Sequence, residues 1–253
     1  MLRQRLAPIL AAALLAATPL YAGTLSITEN AYWVKVQKVY DGDTFRTDKG
    51  EKIRLLGINT PEIARDTEPG EPFGPEAGDA LRKLIAGQTV RLTFDIEKKD
   101  RYGRTLAQVY LRNGTWINKE MLELGMAHVY TFPPNLKHAT ELHAAERIAR
   151  VQSLGIWTSN RFKVLDAKQV LNTHIGQYRL VEGAVSNVRR KGFGFRLGKL
   201  RITVPRKYRQ HFPPEGVTIK AGQRVMVRGT LRTGSNGQLF LALHAPTDLE
   251  VLK

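Results

Sequence analysis

Three short segments carry side chains suited to chemistry at a phosphate ester. Asp41-Gly42-Asp43-Thr44 sets two carboxylates one glycine apart. Arg54 to Glu62 holds a guanidinium inside an apolar stretch that ends in Asn59, Thr60 and Glu62, and Asp100 to Arg104 adds a second guanidinium beside Tyr102. Hydrolysis of a phosphodiester needs positive charge over the nonbridging oxygens, a placed water, and a group that orients or deprotonates that water. Asp43 offers the hard oxygen that calcium or magnesium takes, with Asp41 supporting it from behind. Arg54 and Arg104 offer planar forks matched to phosphate oxygens. Each segment also has a plainer reading. Asp and Gly are what a tight turn demands for steric reasons. A strand arginine can lay its stem on the core and its head in water, Glu62 sits just past a proline turn, and a loop arginine is ordinarily solvated.

The elements that must position these groups follow from periodicity. Between Tyr32 and Phe162 the chain reads as three strands, a helix, two strands and two helices. Trp33 to Tyr40 alternates, Asp41-Gly42 signals a reversal, and Thr44 to Thr47 and Glu51 to Ile58 flank a turn at Asp48-Lys49-Gly50, which predicts an antiparallel meander. Gly74-Pro75-Glu76 marks a helix start, after which Ala77, Ala80, Leu81, Leu84 and Ile85 share a face. Thr89 to Ile96 and Thr105 to Leu111 return to strand character. Trp116 to Val129 and Thr140 to Leu154 return to helical spacing, which assigns Leu122, Met126 and Val129, and likewise Ile148, Val151 and Leu154, to the core. The fold class is α+β, with a small closed or nearly closed barrel. After Trp157 short strands follow at Tyr178 to Val188, Phe193 to Leu197, Leu200 to Val204, Arg224 to Leu231 and Leu239 to Leu243, with a short segment at Arg206 to Phe212. These predict a second, all-β, OB-like barrel. The expected organisation is a leader over 1–22, a lead-in over 23–31, an α+β domain over 32–162 and a basic all-β domain over 163–253.

Lys and Arg number 39 against 23 Asp and Glu, a formal charge of +16, which predicts attraction to a polyanion such as nucleic acid or anionic lipid. Leu165 to Lys253 alone holds sixteen Lys and Arg against five acids, a surplus of eleven. There Arg189, Arg190 and Lys191 lie next to Phe193 and Phe195, with Arg196, Lys199 and Arg201 following, a mixture of charge and aromatic faces on which bases can stack, unless the two phenylalanines are core. The absence of cysteine excludes a disulfide framework and a thiolate zinc site. His138 and His143 are five apart, the wrong spacing for two imidazoles on one helical face. Gly192-Phe193-Gly194-Phe195 lacks the Lys-Ser or Lys-Thr of a phosphate loop and reads as a hairpin. Met1 to Arg5 is basic, and Leu6 to Leu20 is apolar and interrupted by Pro8 and Pro19 before Ala22-Gly23. This reads as an export leader cleaved after about Ala22 and not as the ~20-residue span of a membrane helix. The mature chain is expected to be a monomer, periplasmic or secreted, without stable membrane insertion.

Taken in order, Asp41-Gly42-Asp43-Thr44, Arg54-Leu55-Leu56-Gly57-Ile58-Asn59-Thr60-Pro61-Glu62, Tyr102-Gly103-Arg104 and the closing Gly155-Ile156-Trp157 resemble the staphylococcal nuclease (thermonuclease) family over about Trp33 to Trp157. The resemblance implies a five-stranded OB-like barrel with three helices and calcium-dependent cleavage of DNA and RNA leaving 3′-phosphate ends. It implies that Asp43, the residue at position 59 and the Thr60 main-chain carbonyl bind the metal, and that Glu62 positions or deprotonates water. Arg54 and Arg104 would clamp the phosphate, and Tyr102 and Tyr130 would contact the nucleotide, although the loop from Tyr130 to His138 aligns only with a gap. The family has Asp where this chain has Asn59. An amide brings no charge, so calcium affinity should fall, and Mg²⁺ or Mn²⁺ becomes an alternative. Two other readings stay open, a noncatalytic nucleic-acid-binding protein of the same fold and a surface protein that uses the basic tail on anionic lipid.

Overall fold

A computed structural model describes residues 31–64, 66, 69–189 and 192–252; the expected leader lies outside them. In β1 (Tyr32–Val39) Val34, Val36 and Val39 turn inward, and a register shift between Val36 and Lys38 explains why Val39 and not Lys38 is buried. Such a bulge breaks strict alternation and re-aims the side chains beyond it. β2 (Thr44–Thr47) and β3 (Lys52–Leu55) complete the expected meander. The strand expected over Glu51 to Ile58 is broken at Gly57, whose φ of +85° only glycine adopts at ease. Beyond it, β4 (Gly57–Asn59) leaves the barrel. α1 (Gly74–Ile85) follows with Ala77, Leu81 and Ile85 buried. β5 (Thr89–Thr93) stops three residues short of the expected end, and Ile96 is exposed. β6 (Thr105–Tyr110) pairs parallel with β3, so the closed circuit runs β1, β2, β3, β6, β5 and back to β1.

The helix expected over Trp116 to Val129 is two elements. α2 (Ile117–Glu123) is closed off by the Gly125 and Met126 N–H groups, which donate to the Leu122 and Met121 carbonyls, and β7 (His128–Tyr130) then pairs antiparallel with β4. Val129 is core, as its spacing implied, but it gets there on a strand. α3 (Ala139–Val151) lies where expected and faces the other way. Ala139, Leu142, Ala145, Glu146 and Ala149 are buried, whereas Ile148, Val151 and Leu154, assigned to the core, are 49, 77 and 38 % exposed. Both sets have helical spacing. The inward choice is fixed by small alanines and by Glu146, whose Oε1 accepts from Val129 N–H at 2.7 Å.

The second barrel comprises β9 (Tyr178–Ser186), β10 (Gly194–Leu197), β11 (Leu200–Thr203), β12 (Arg224–Thr233) and β13 (Leu239–Ala242). β8 (Leu165–Asp166) lies beside β9 and β14 (Leu249–Val251) beside β12. β11 pairs parallel with β13, and β12 closes onto β9 over seven residues. The circuit again takes its strands in the order first, second, third, fifth, fourth, so one chain carries two barrels of the same topology. They are joined by a shared apolar cluster containing Ala149, Ile156, Trp157, Phe162, Leu180 and Met226. They are joined also by a buried ion pair, in which Arg228 Nη1 lies 2.8 and 3.0 Å from the two Glu146 oxygens.

Candidate active site

The turn between β1 and β2 and the chain after β4 meet at one end of the first barrel. Gly42 permits this approach: a Cβ there would stand 2.7 Å from both Ala77 Cβ of α1 and Thr60 Cγ2. The turn is held by Asp43 N–H donating to Asp41 Oδ1 at 3.2 Å, an arrangement that suits Asp in tight turns. Both carboxylates are buried. Burial pushes the Asp41 carboxyl above its ordinary value, and the adjacent Asp43 charge pushes the same way.

Asp43 is the hub. Its Oδ2 lies 2.9 Å from Arg54 Nη2 and accepts from Thr60 N–H and Thr60 Oγ1, each at 3.1 Å, while Oδ1 accepts from Thr44 Oγ1 at 3.0 Å. Arg54 is only 8 % exposed, which rules out the snorkelling alternative. Its Nη1 donates to the Leu55 and Ile58 carbonyls at 2.7 and 2.9 Å, and Nη2 also donates to Asn59 Oδ1 at 2.8 Å. Those carbonyls and the carboxylate offset the desolvation of the buried guanidinium. Asn59 closes the ring, its Nδ2 donating to the Thr60 carbonyl at 3.1 Å. One amide thus spans both oxygens, at positions 59 and 60, that the motif resemblance assigns to a metal.

Arg54 faces a cleft of about 230 Å³ lined also by Gly57, Asp100, Arg104, Tyr130 and Phe132. Arg104 stands at the base of β6, with Nε donating to Asp100 Oδ2 at 2.6 Å and its main-chain N–H to Oδ1 at 3.0 Å. These bonds outweigh the effect of burial and hold the Asp100 carboxyl below its ordinary value. Tyr102 is exposed, with the Arg101 and Arg104 guanidinium groups 4.7 and 5.5 Å from its ring centroid. Glu62 is exposed; its main chain is tied to Glu71, which pairs with Arg161 at 2.6 Å.

Asp41, Asp43, Arg54, Asn59 and Thr60 therefore form one bonded cluster, and Arg54, Arg104 and Tyr130 line one cleft. The sequence reading gave no role to Asp100, which fixes Arg104, or to Phe132 and Asn135, which wall the cleft. Asp100 carried a usable signal, four residues before an arginine across a loop. Phe132 and Asn135 carried none. In the second barrel Arg189 is exposed, Arg201 stacks on Phe240 at 5.3 Å, and Phe193 is half-buried under Arg209 at 4.7 Å, so Phe193 is not an open stacking platform. Arg190 and Lys191 lie outside the described residues.

Among the described residues no three acid, histidine or cysteine side chains converge on a metal position. The oxygens at hand are two carboxylates, an amide and a main-chain carbonyl, all hard donors of the kind calcium, magnesium and manganese take. The donor set fits such a cation once the Asn59 amide turns its NH₂ away from the Thr60 carbonyl.

The sequence profile of the family described as "Staphylococcal nuclease homologue" matches residues 52–159. The chain is 36 % identical over 141 residues to the thermonuclease of Staphylococcus hyicus, covering 54 % of this chain and 82 % of that protein. It is 36 % identical over 142 residues to the thermonuclease of Staphylococcus intermedius, covering 55 % and 83 %. It is 30 % identical over 134 residues to endonuclease YncB of Bacillus subtilis (strain 168), covering 51 % and 63 %. The profile ends before the second barrel begins, and the bonded cluster and cleft of the first barrel stand on the motifs that carried the resemblance: the chain belongs to the staphylococcal nuclease homologue family.

Proposed function

We propose that this chain is a metal-dependent nuclease that hydrolyses phosphodiester bonds of DNA, RNA or both in the cleft of the first barrel. The observation that carries the proposal is the pairing of two differently held guanidinium groups, Arg54 and Arg104, on one cleft, with Asp43 and Thr60 bonded behind the first. A bound divalent cation, held by Asp43, Thr60 and the side chain at position 59, would draw charge from the phosphate oxygens. Four bonds take up the Nη hydrogens of Arg54 and fix its plane, so it would meet the phosphate through Nε–H, or through Nη2 once the Asn59 oxygen is drawn away. Arg104 keeps Nη atoms for the substrate while Asp100 holds its Nε. On the family motif Glu62, which is exposed and not one of the cleft-lining residues, takes a proton from water as the water oxygen bonds to phosphorus, and the departing ester oxygen is protonated from solvent. A clamp of this kind accelerates the reaction to the extent that it binds the charge-rich transition state better than the ground state. Tyr130 and Phe132 supply the wall against which the nucleotide packs.

The Asn59 bond to the Thr60 carbonyl favours a second reading, a nucleic-acid-binding protein without activity. Incubation of purified chain with DNA and RNA in calcium, magnesium, manganese or chelator separates the two; binding without cleavage in every metal supports the second. Of the metals, calcium is proposed as the physiological ion on the family motif, with Asn59 lowering its affinity. Export to the periplasm or medium is proposed from Met1 to Ala22, and cell fractionation tests it. Among the described residues no helix is long and apolar enough to cross a membrane.

A further inference from the structure

Across the outward face of the second barrel, four side chains stand in register. Arg196 of β10 lies opposite Arg201 of β11, Arg201 opposite Phe240 of β13, and Phe240 opposite Arg232 of β12. Their neighbours Phe195, Leu197, Ile202, Leu231 and Leu241 are buried, so the row faces out. At ~4.8 Å between strands the row is ~14 Å long. Like charges directly across strands destabilise a sheet, and among the described residues no carboxylate pairs with any of these arginines. Four of the five acids of this barrel are engaged elsewhere: Glu182 with Arg224, Glu250 with Arg147 and Arg150, Asp166 with Lys168 N–H, and Asp248 with the His244 and Ala245 N–H groups. Arg196 meets only neutral partners, the Lys199 carbonyl and the Gln238 amide, and Arg201 lies over the Phe240 ring with a buried Nε that has no hydrogen-bond partner.

The row is connected to the cleft. Phe240, Ala242 and His244 alternate with the buried Leu241, Leu243 and Ala245, so His244 continues the outward face of β13. Its ring centroid is 4.7 Å from that of Phe132, which walls the cleft, and 4.6 Å from Tyr208, over which Lys207 sits at 4.7 Å. We infer that single-stranded nucleic acid binds along this face, from Phe132 and His244 to the row of Arg232, Phe240, Arg201 and Arg196. Isolated aromatic faces take unstacked bases and guanidinium forks take phosphates, whereas a duplex keeps its base faces to itself. Only the continuation of the same strand into the cleft rests on the nuclease proposal.

The test is fluorescence anisotropy of labelled oligothymidylates of about 4 to about 16 nucleotides, the span of one OB-type site, with the full chain in chelator. Affinity of the unaltered chain should rise with length. In Arg196→Ala/Arg201→Ala/Arg232→Ala that rise should vanish, and the slope of log affinity against log salt should fall by about 2, as three phosphate contacts at ~0.7 each require. Should the triple variant melt early, Arg232→Ala alone should lower the slope by ~0.7. Phe240→Ala should lose ~10-fold in affinity while Phe240→Tyr keeps it. Unchanged length dependence and salt slope in the triple variant would overturn the inference. So would loss of binding to phosphatidylserine vesicles with oligonucleotide binding intact. Because chelator removes cutting from the readout, a negative result here leaves the nuclease proposal standing, and absent cleavage leaves this one standing.

Discussion

Behind Arg54 the Asn59 amide bonds the guanidinium through its oxygen and the Thr60 carbonyl through its nitrogen. Replacing it with Asp removes the donor from the Thr60 oxygen and adds a charge, so Asn59→Asp should lower the calcium concentration for half-maximal rate on the order of tenfold. A metal titration of cleavage that does not move would remove position 59 from the ligand set. Arg104→Ala should lower kcat by on the order of 10² or more, and Arg104→Lys should restore little of it, because a point charge cannot reproduce the fork that Asp100 orients. Steady-state kinetics on a defined substrate decides this. Most of the site was legible residue by residue, since Asp43, Arg54, Asn59, Thr60 and Arg104 sit in three compact motifs. Phe132 and Asn135 were not, because a wall residue is chosen by the path of the loop through space and leaves no local spacing to read.

At the level of elements, periodicity located α3 but not its phase. Its sequence has apolar spacing on two faces, and the buried one is fixed by small alanines and by Glu146, which bonds Val129 N–H and, 82 positions away, Arg228. Burial would raise the Glu146 carboxyl, yet Arg228, His143, the Val129 N–H and His128 together outweigh it and hold it below its ordinary value. Two predictions follow from this phase. Ile148→Ser should change the stability by under about 0.5 kcal/mol, whereas Leu142→Ala should cost about 2–5 kcal/mol; urea melts giving equal losses would mean the helix is turned the other way. Arg228→Met, which leaves Glu146 buried and charged, should cost about 3–5 kcal/mol, and Arg228→Met/Glu146→Gln should recover part of that while keeping an acceptor for Val129 N–H. The two barrels were legible as strand runs and turns. The break at Gly57 and the early end of α2 were not, because both answer to the β4–β7 pairing across more than 60 residues of chain.

Over the whole molecule, the two barrels share one topology and are locked by the Arg228–Glu146 pair, an apolar cluster and an aromatic contact from Phe132 to His244. Burial pulls His128 down to about 4, His143 to about 3 with help from Arg228, and His244 to about 4 with help from Lys207 and Arg232. A histidine whose folded value is depressed contributes stability that is full above its ordinary 6.5 and is lost as pH falls toward the folded value. Asp248 runs the opposite way: burial raises it from 3.8 to about 6, so its contribution is present below 3.8 and lost as pH rises through about 6. Three histidines against two raised carboxyls, Asp248 and Asp41, predict that Tm falls as pH drops from 6.5 to 4, and a flat profile over that window would contradict the burial of these rings. Chemistry in the cleft is read out by cleavage itself. Wild-type chain and Glu62→Gln should be incubated with single-stranded DNA and RNA in calcium, magnesium, manganese and chelator, and the products sized. The wild type should cut in a metal-dependent way, and the rate should fall by on the order of 10² or more in Glu62→Gln; intact substrate in every metal, or equal cutting by both proteins, would refute a nuclease site in this cleft.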